Sequence, residues 1–231
     1  MPAYDSITIP YLFMILVWMP ASAVRSYFRL KSGKPVPPKL RRYRVMIASQ
    51  ILILAYSLLA ARENRINLLG QAPVAWIWVV TTLYLGLLAF LLHNVWRRLS
   101  PERKQRARLL LPENPREMRY WIPISLLAGL SEECAFRGVA YIVLRELTGS
   151  PAISVAVCVL SFAVAHITQG WRGVLGTAII ALAMHVIVFL TAGLYLVIAT
   201  HAVYDLIVGV IAMQNFVRDD AVSAMNPQPV T

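Results

Sequence analysis

The residues best suited to chemistry lie in one apolar stretch, LAGLSEECAFRGV at positions 127–139. A charged side chain in the middle of a membrane span costs roughly 2.5–3.5 kcal/mol on insertion scales, and such residues usually mark a functional site. Glu133 and Arg137 are four residues apart, so they can pair on one face of a helix. Glu132 lies about 100° further round the helix, with no basic residue three or four positions away. It is therefore the candidate catalytic carboxylate.

Two more polar pairs occur in later apolar segments. His166 follows Phe162 by four residues, and Asp205 follows His201 by four, so each pair shares one face of a helix. A carboxylate beside an imidazole can fix its tautomer and orientation. His185 has only apolar neighbours in its segment, so we interpret it as a packing residue. We expect one buried pocket to contain the remaining polar residues: Glu132, Glu133, Arg137, His166, His201 and Asp205.

This set of side chains favours the activation of water. A desolvated Glu132 can act as a general base near neutral pH, and N–H groups of His166 and His201 can stabilise an oxyanion. Zinc is an alternative, because His166, His201 and Glu132 would leave one coordination position open. No HExxH motif is present. The sequence therefore requires no cofactor, is compatible with zinc, and leaves the metal ligands undecided.

The chain as a whole has the composition of an all-α, polytopic membrane protein. Hydrophobic residues make up 58% of its 231 residues and charged residues only 14%. Apolar runs of about 18–23 residues, the length that crosses a bilayer, recur along it. The sequence predicts a transmembrane helical bundle of about seven spans: residues 7–24, 43–61, 74–96, 120–147, 152–168, 174–189 and 194–213. A short amphipathic segment at 102–112 should lie on the membrane surface.

The distribution of charge predicts topology rather than nucleic-acid binding. The net charge is +11, but 16 of the 22 basic residues lie in two segments, 25–44 and 97–119, which flank apolar spans. This is the pattern of cytoplasmic loops, and anionic lipid headgroups would attract it further. With seven spans, the N-terminus is outside and the C-terminus is cytoplasmic. The expected partners are the lipid bilayer and a membrane-anchored substrate, with no nucleic acid.

The polar motifs also suggest a division of the chain. Residues 1–119 contain N-terminal spans and the basic loops but no assignable motif. Residues 120–215 contain all three polar motifs and form the predicted catalytic helical core. Residues 216–231 form a predicted polar cytoplasmic tail.

The three motifs resemble those of the CPBP family, the Rce1-like or Abi-type intramembrane endopeptidases related to CAAX prenyl protease 2. The similarity comprises Glu132-Glu133-x-x-x-Arg137, Phe162-x-x-x-His166 and His201-x-x-x-Asp205, in this order on separate apolar segments. Each motif alone is weak, but the ordered set is specific. The resemblance implies an all-helical membrane protease whose glutamate activates water in a cavity open to the cytosol. The short chain is more similar to bacterial members, which implies the bacterial inner (plasma) membrane.

The resemblance also implies roles for individual residues. Glu132 would be the base, His166 would orient the water or bind the intermediate, and His201 would stabilise the oxyanion. The third motif often ends in Asn, whereas this chain has Asp205. An ionised aspartate cannot donate a hydrogen bond, so we expect Asp205 to orient His201 instead. The implied substrate is a membrane-associated protein, lipidated or CAAX-like in some family members and of other kinds in bacterial ones.

Two other classes of function remain open on the sequence. A non-catalytic membrane protein of the same fold could use the polar residues to bind a partner, as an immunity protein would. A proton or cation transporter could use them as a relay, although no inverted repeat is recognisable. Polar groups also join membrane helices at about 0.6 kcal/mol each, which fits a single Glu133–Arg137 pair. Filled positions in all three motifs favour the endopeptidase.

Overall fold

The computed structural model describes residues 6–71 and 74–225, and these residues form an all-α protein, as predicted. A single antiparallel bridge joins Gly70 to Gly193, and the described residues contain no β-strand. The helices in this part of the chain are α1 (Thr8–Lys31), α2 (Lys39–Glu63), α3 (Ala75–Arg97), α4 (Pro101–Leu110), α5 (115–148), α6 (Pro151–Ala165), α7 (Trp171–Thr191) and α8 (Tyr195–Met225).

Each of the seven predicted spans coincides with one helix, and α4 covers the segment that was predicted to be amphipathic. Of the described helices, α1, α2, α3, α7 and α8 are long and apolar enough to cross a membrane. Helix α6 is apolar but has only 15 residues, and α5 is long but carries the ionisable residues. The chain is thus an integral membrane protein, while a total of seven crossings stays a prediction.

Helix α5 contains a change of helical geometry next to the candidate residues. It starts at Pro115, behind Asn114, whose side chain accepts a hydrogen bond from the Glu117 N–H at 3.0 Å. Its first part is α-helical to Glu133, and a π-helical segment, Cys134–Ala140, follows directly. Short π-helical segments are rare and often occur at functional sites. Here the segment begins immediately after the paired glutamates.

Helix α5 packs between α2 and α8. A β-carbon on Gly129 would lie 2.8 Å from the Ile198 carbonyl oxygen and 2.8 Å from the Ala202 amide nitrogen, both on α8. Only glycine allows the two backbones to approach so closely. Gly129 is one turn before the glutamates, and Ala202 follows His201. This contact therefore brings His201 against the glutamates.

Ion pairs connect the starts of α2 and α5 with α4 and the end of α8. Lys39 Nζ lies 2.5 Å from a Glu113 oxygen and 3.0 Å from a Glu117 oxygen. Arg108 pairs with Glu113 at 2.8 Å and with Asp220 at 2.5 Å. We call the complete set the peripheral cluster: Lys39, Lys104, Arg108, Glu113, Glu117, Asp219 and Asp220. Both basic segments and the end of α8 therefore lie at the same end of the bundle.

The boundary predicted at residues 215/216 falls inside a helix. Helix α8 continues to Met225, and residues 226–231 of the predicted tail lie outside the described residues. Asp219 pairs with Lys104 at 2.8 Å, which explains why the polar end of α8 follows the bundle. The division of the chain into three parts otherwise stays a prediction.

Candidate active site

Glu133 is the structural carboxylate of the site. One of its oxygens, Oε1, lies 3.2 Å from Arg137 Nη1 and accepts a hydrogen bond from His201 Nδ1 at 2.8 Å. Glu133 and Arg137 are 1% and 2% exposed, so both charges are removed from water. The predicted pairing of Glu133 with Arg137 is present in the structure. We call Glu133, Arg137 and His201 the central cluster.

The guanidinium of Arg137 is held from three directions. Besides the Glu133 contact, Nη2 donates to the Ala181 carbonyl oxygen of α7 at 3.3 Å. The Phe162 ring of α6 lies beneath the guanidinium carbon at 4.7 Å, within the range of a cation–π interaction. Arg137 thus joins three helices around the buried Glu133 charge.

Glu132 is also buried, at 8% exposure, but it has different partners. Its Oε1 accepts a hydrogen bond from Gln50 Nε2 of α2 at 2.7 Å. Its Oε2 lies 3.9 Å from His201 Nε2, longer than a direct hydrogen bond. As predicted, Glu132 has no arginine partner in the described structure. One oxygen is held by an amide, and the other faces an imidazole across a gap.

The role predicted for Asp205, the orientation of His201, stays a prediction. We expected Asp205 to orient His201, but the Nδ1 hydrogen bond that fixes this ring goes to Glu133. Asp205 lies on the other side, with Oδ2 at 3.7 Å from His201 Nε2. Glu133 was not predicted as this partner because the HxxxD spacing concerns one helix, whereas the close approach at Gly129 brings a carboxylate from α5. Asp205 still shares the predicted face with His201.

His166 lies at the end of α6, where it leaves the helix and precedes a short 3-10 turn, Ile167–Gln169. Its Nδ1 is 2.8 Å from the Phe162 carbonyl oxygen, and its ring is 4.6 Å from the Phe162 ring centroid. A carbonyl oxygen only accepts, so Nδ1 carries the hydrogen and Nε2 is an acceptor in the neutral ring. His166 is within electrostatic range of Asp205. It therefore suits binding a water molecule better than donating to an oxyanion.

Phe162 connects these histidines. Its ring centroid is 6.3 Å from that of His201, in an edge-to-face arrangement, as well as 4.6 Å from that of His166. The spacing of Phe162 and His166 predicted an aromatic ring beside an imidazole, and that contact is present. The six predicted site residues are thus linked directly or through Phe162.

Gln50 and Ser131 were not among the predicted site residues. Gln50 accepts a hydrogen bond from the Ser131 hydroxyl and donates to Glu132. The prediction rested on ionisable side chains, and neither Gln50 nor Ser131 ionises. The available signal was a glutamine inside an otherwise apolar span. His185, interpreted as a packing residue, is 2% exposed and lies with its ring 5.5 Å from that of Tyr141.

The zinc alternative stays a prediction. Within residues 6–71 and 74–225, no group of three or more His, Cys, Asp and Glu side chains is arranged to hold a metal ion. Nδ1 of His201 contacts Glu133 and Nδ1 of His166 contacts a backbone carbonyl, and metal-binding histidines commonly make such contacts with the nitrogen that does not bind the metal. Cys134 and Cys158 are free and buried.

Comparison with protein families identifies the region that contains these motifs. The model of the family described as type II CAAX prenyl endopeptidase Rce1-like matches residues 114–207. This region is similar to that family. The match begins one residue before α5 and includes all six predicted site residues, which confirms the predicted resemblance. It also supports a membrane protease activity and a membrane-associated protein substrate. No curated protein and no solved structure gives a significant match to the chain.

Proposed function

We propose that this protein is an intramembrane endopeptidase in which Glu132 activates a water molecule to hydrolyse a peptide bond of a membrane-associated protein. The observation that carries the proposal is the unequal use of two adjacent buried glutamates. Glu133 is neutralised by Arg137 and bonded to His201, whereas Glu132 has one oxygen held by Gln50 and the other directed towards His201. A structural ion pair needs only one of these carboxylates.

In the proposed reaction, Glu132 Oε2 removes a proton from water, and the hydroxide attacks the carbonyl carbon of the scissile bond. The carbonyl oxygen becomes an oxyanion in a tetrahedral intermediate. The intermediate collapses when the C–N bond breaks, and Glu132 returns its proton to the amine that leaves. His166 Nε2 is suited to accept a hydrogen bond from the attacking water, because Nδ1 is bonded to the Phe162 carbonyl.

His201 is the proposed oxyanion donor. With Nδ1 bonded to Glu133, a hydrogen on Nε2 requires the imidazolium form of the ring. Carboxylates of Glu132 and Asp205 lie 3.9 and 3.7 Å from Nε2 and favour this charged form. A preorganised donor of this kind stabilises charge that develops in the transition state.

We further propose that the enzyme lies in the bacterial inner membrane with both basic segments in the cytoplasm. Lys39 of the first segment and Arg108 of the second share Glu113, which supports a common side for both. The excess of basic residues supports the cytoplasmic side. On this topology the N-terminus is outside, the C-terminus is cytoplasmic, and lipidated or CAAX-like proteins are the first substrates to test. The proposed mechanism uses no metal.

The test compares the termini of membrane proteins in cells that contain either the native chain or Glu132→Gln. Quantitative mass spectrometry should find at least one new peptide end that depends on the native chain. The variant keeps the side-chain shape and a hydrogen-bond acceptor but removes the base, so that end should disappear. Glu63→Gln, the same change at an exposed glutamate of α2, should retain it.

Two results would contradict the proposal. One is an identical set of termini in native and Glu132→Gln cells, with both chains inserted in equal amounts. The other is a new terminus that persists in Glu132→Gln. If a cellular effect of the native chain also survives in the variant, the non-catalytic binding protein becomes the better description.

A further inference from the structure

We propose that Gln50 is a positioning residue for the catalytic base, and that Ser131 acts through it. This inference rests on the proposed function, because it assigns a task to a residue that touches Glu132 and not the substrate. Gln50 lies on α2, in the part of the chain before residue 114, where the family match begins. It thus adds a residue of the N-terminal half to the proposed site.

The orientation of the Gln50 amide follows from its two contacts. Its Nε2 can only donate, and it lies 2.7 Å from Glu132 Oε1. Its Oε1 can only accept, so the hydroxyl of Ser131 must donate to it. The two contacts form a series of hydrogen bonds from Ser131 through Gln50 to Glu132. Ser131 and Glu132 lie on α5, and Gln50 lies on α2.

The burial of these groups fixes the direction of both hydrogen bonds. Gln50 is 8% exposed and Ser131 is 0% exposed, so neither group has a ready alternative partner in water. A buried amide is unfavourable unless it is hydrogen-bonded, and turning the amide round would place two acceptors against each other at Glu132. Gln50 therefore holds its nitrogen towards Glu132 as long as Ser131 holds its oxygen.

The consequence for chemistry is that the two oxygens of Glu132 have different tasks. Oε1 is occupied by the amide, and Oε2 faces His201 Nε2 at 3.9 Å. Without Gln50 the carboxylate could rotate, and either oxygen could bond to His201. Gln50 thus selects the oxygen that receives the proton and fixes its direction. Misplacement of a reacting group by 1 Å can reduce the rate on the order of 100-fold.

A purely structural contact between helices is the competing explanation. Membrane helices do use polar side chains to associate, and α2 packs against α5. That explanation predicts a change in stability when Gln50 is altered. It predicts no change in the carboxylate of Glu132 itself and no specific effect on the catalytic step. The experiment separates these outcomes.

The first measurement needs no substrate. The difference between infrared spectra of the native protein and Glu132→Gln isolates the carboxyl bands of Glu132. The same difference is then recorded in a Gln50→Met background, which keeps the length of the side chain but removes the amide. We expect the Glu132 bands to shift, because Oε1 loses its donor. In a Gln105→Met background, with the same change at an exposed glutamine of α4, they should not shift.

The second measurement uses a synthetic peptide that spans the bond cleaved by the native chain. Gln50→Met should lower kcat on the order of 10- to 100-fold with little change in KM, because the base is misplaced while substrate contacts remain. Gln50→Asn, whose amide is one methylene too short, should behave similarly. Rates are expressed per folded protein, so that a loss of stability is not mistaken for a loss of catalysis.

Ser131→Ala should lower kcat by a smaller factor. In a double variant with Gln50→Met, it should add no further loss, within about the twofold resolution of such cycles. A merely structural role of Ser131 would instead give independent, additive losses. The coupling therefore tests whether Ser131 acts through Gln50.

Unshifted Glu132 bands in Gln50→Met overturn the proposal, and so does an unchanged kcat in both Gln50 variants. Failure of the proposed function gives a different result. In that case the native chain and Glu132→Gln show the same rate on the peptide, or no cleaved bond is found, whatever the Gln50 variants do. That result also overturns the positioning role, but the infrared shift would still establish the hydrogen bond.

Discussion

Arg137 and Lys39 are both cations that bridge helices through glutamates, but they differ in their access to water. The Arg137 and Glu133 side chains of the central cluster are each 1% exposed. In the peripheral cluster, Lys39 is 12% exposed and its partner Glu113 is 29% exposed. A carboxylate that loses its cation in the peripheral cluster can be hydrated, whereas Glu133 cannot. The same type of ion pair is therefore essential for the stability of the folded protein in the central cluster. In the peripheral cluster it contributes only modestly to that stability.

The two clusters also differ in what they hold in place. In the central cluster the charges are expensive to bury, yet their arrangement leaves Glu132 with one oxygen directed towards His201. In the peripheral cluster the charges connect the ends of four helices and touch none of the six predicted site residues. In the proposed function, the central cluster holds groups that take part in the reaction, and the peripheral cluster supports the positions of the helices that carry them.

The largest expected effect is that of Arg137→Met. Removing one partner from a buried ion pair typically costs about 3–5 kcal/mol, because the other charge remains uncompensated. The protein in detergent should therefore unfold at a much lower temperature. A thiol-reactive dye can report this, because Cys134 and Cys158 are 2% and 1% exposed and become reactive only on unfolding.

The double variant Arg137→Met/Glu133→Gln tests whether the uncompensated charge of Glu133 causes this loss of stability. It removes both charges, and the glutamine oxygen can still accept the hydrogen bond from His201 Nδ1. We expect it to recover part of the lost stability while remaining inactive. A double variant that is less stable than Arg137→Met alone would show that desolvation of the Glu133 charge is not the cause.

The sequence predicted the polar site residues because each motif lies within a single helix or at its end. Spacings of four residues are enough to pair Glu133 with Arg137 and to place His166 beside Phe162. The apolar runs likewise predicted the seven helices. All of these features depend on the period of the α-helix and on the length of a bilayer span, which are properties of local sequence.

The partners that come from other helices could not be predicted in the same way. Glu133 orients His201 only because Gly129 lets α5 approach α8, and the HxxxD motif does not predict that contact. Gln50 reaches Glu132 from α2, 82 positions away. Both contacts depend on helix packing, which a single sequence does not specify. The predicted boundary at 119/120 consequently separates Glu132 from its hydrogen-bond donor.

A smaller effect is expected for Lys39→Met. Partly exposed ion pairs contribute at most about 1 kcal/mol, and salt screens them. The Debye length falls from about 10 Å at 0.1 M to about 3 Å at 1 M salt. The difference in unfolding temperature between the native protein and Lys39→Met should therefore shrink as NaCl is added, whereas the difference for Arg137→Met should not. Arg41→Met, on an exposed face of α2, should match the native protein at all salt concentrations.

The smallest effect concerns pH and Glu113. Partial burial raises the pKa of this carboxyl, but hydrogen bonds and charges from Lys39 and Arg108 outweigh it, so the pKa lies below its ordinary value. A lowered folded-state pKa stabilises the protein above the unfolded pKa of about 4.3, and this contribution is lost as the pH falls further. In Glu113→Gln the unfolding temperature should decline less steeply from pH 5 to pH 3 than in the native protein. Equal slopes would mean that Glu113 is already hydrated in the folded protein. The peripheral cluster would then position the helix ends without adding to the free energy of unfolding.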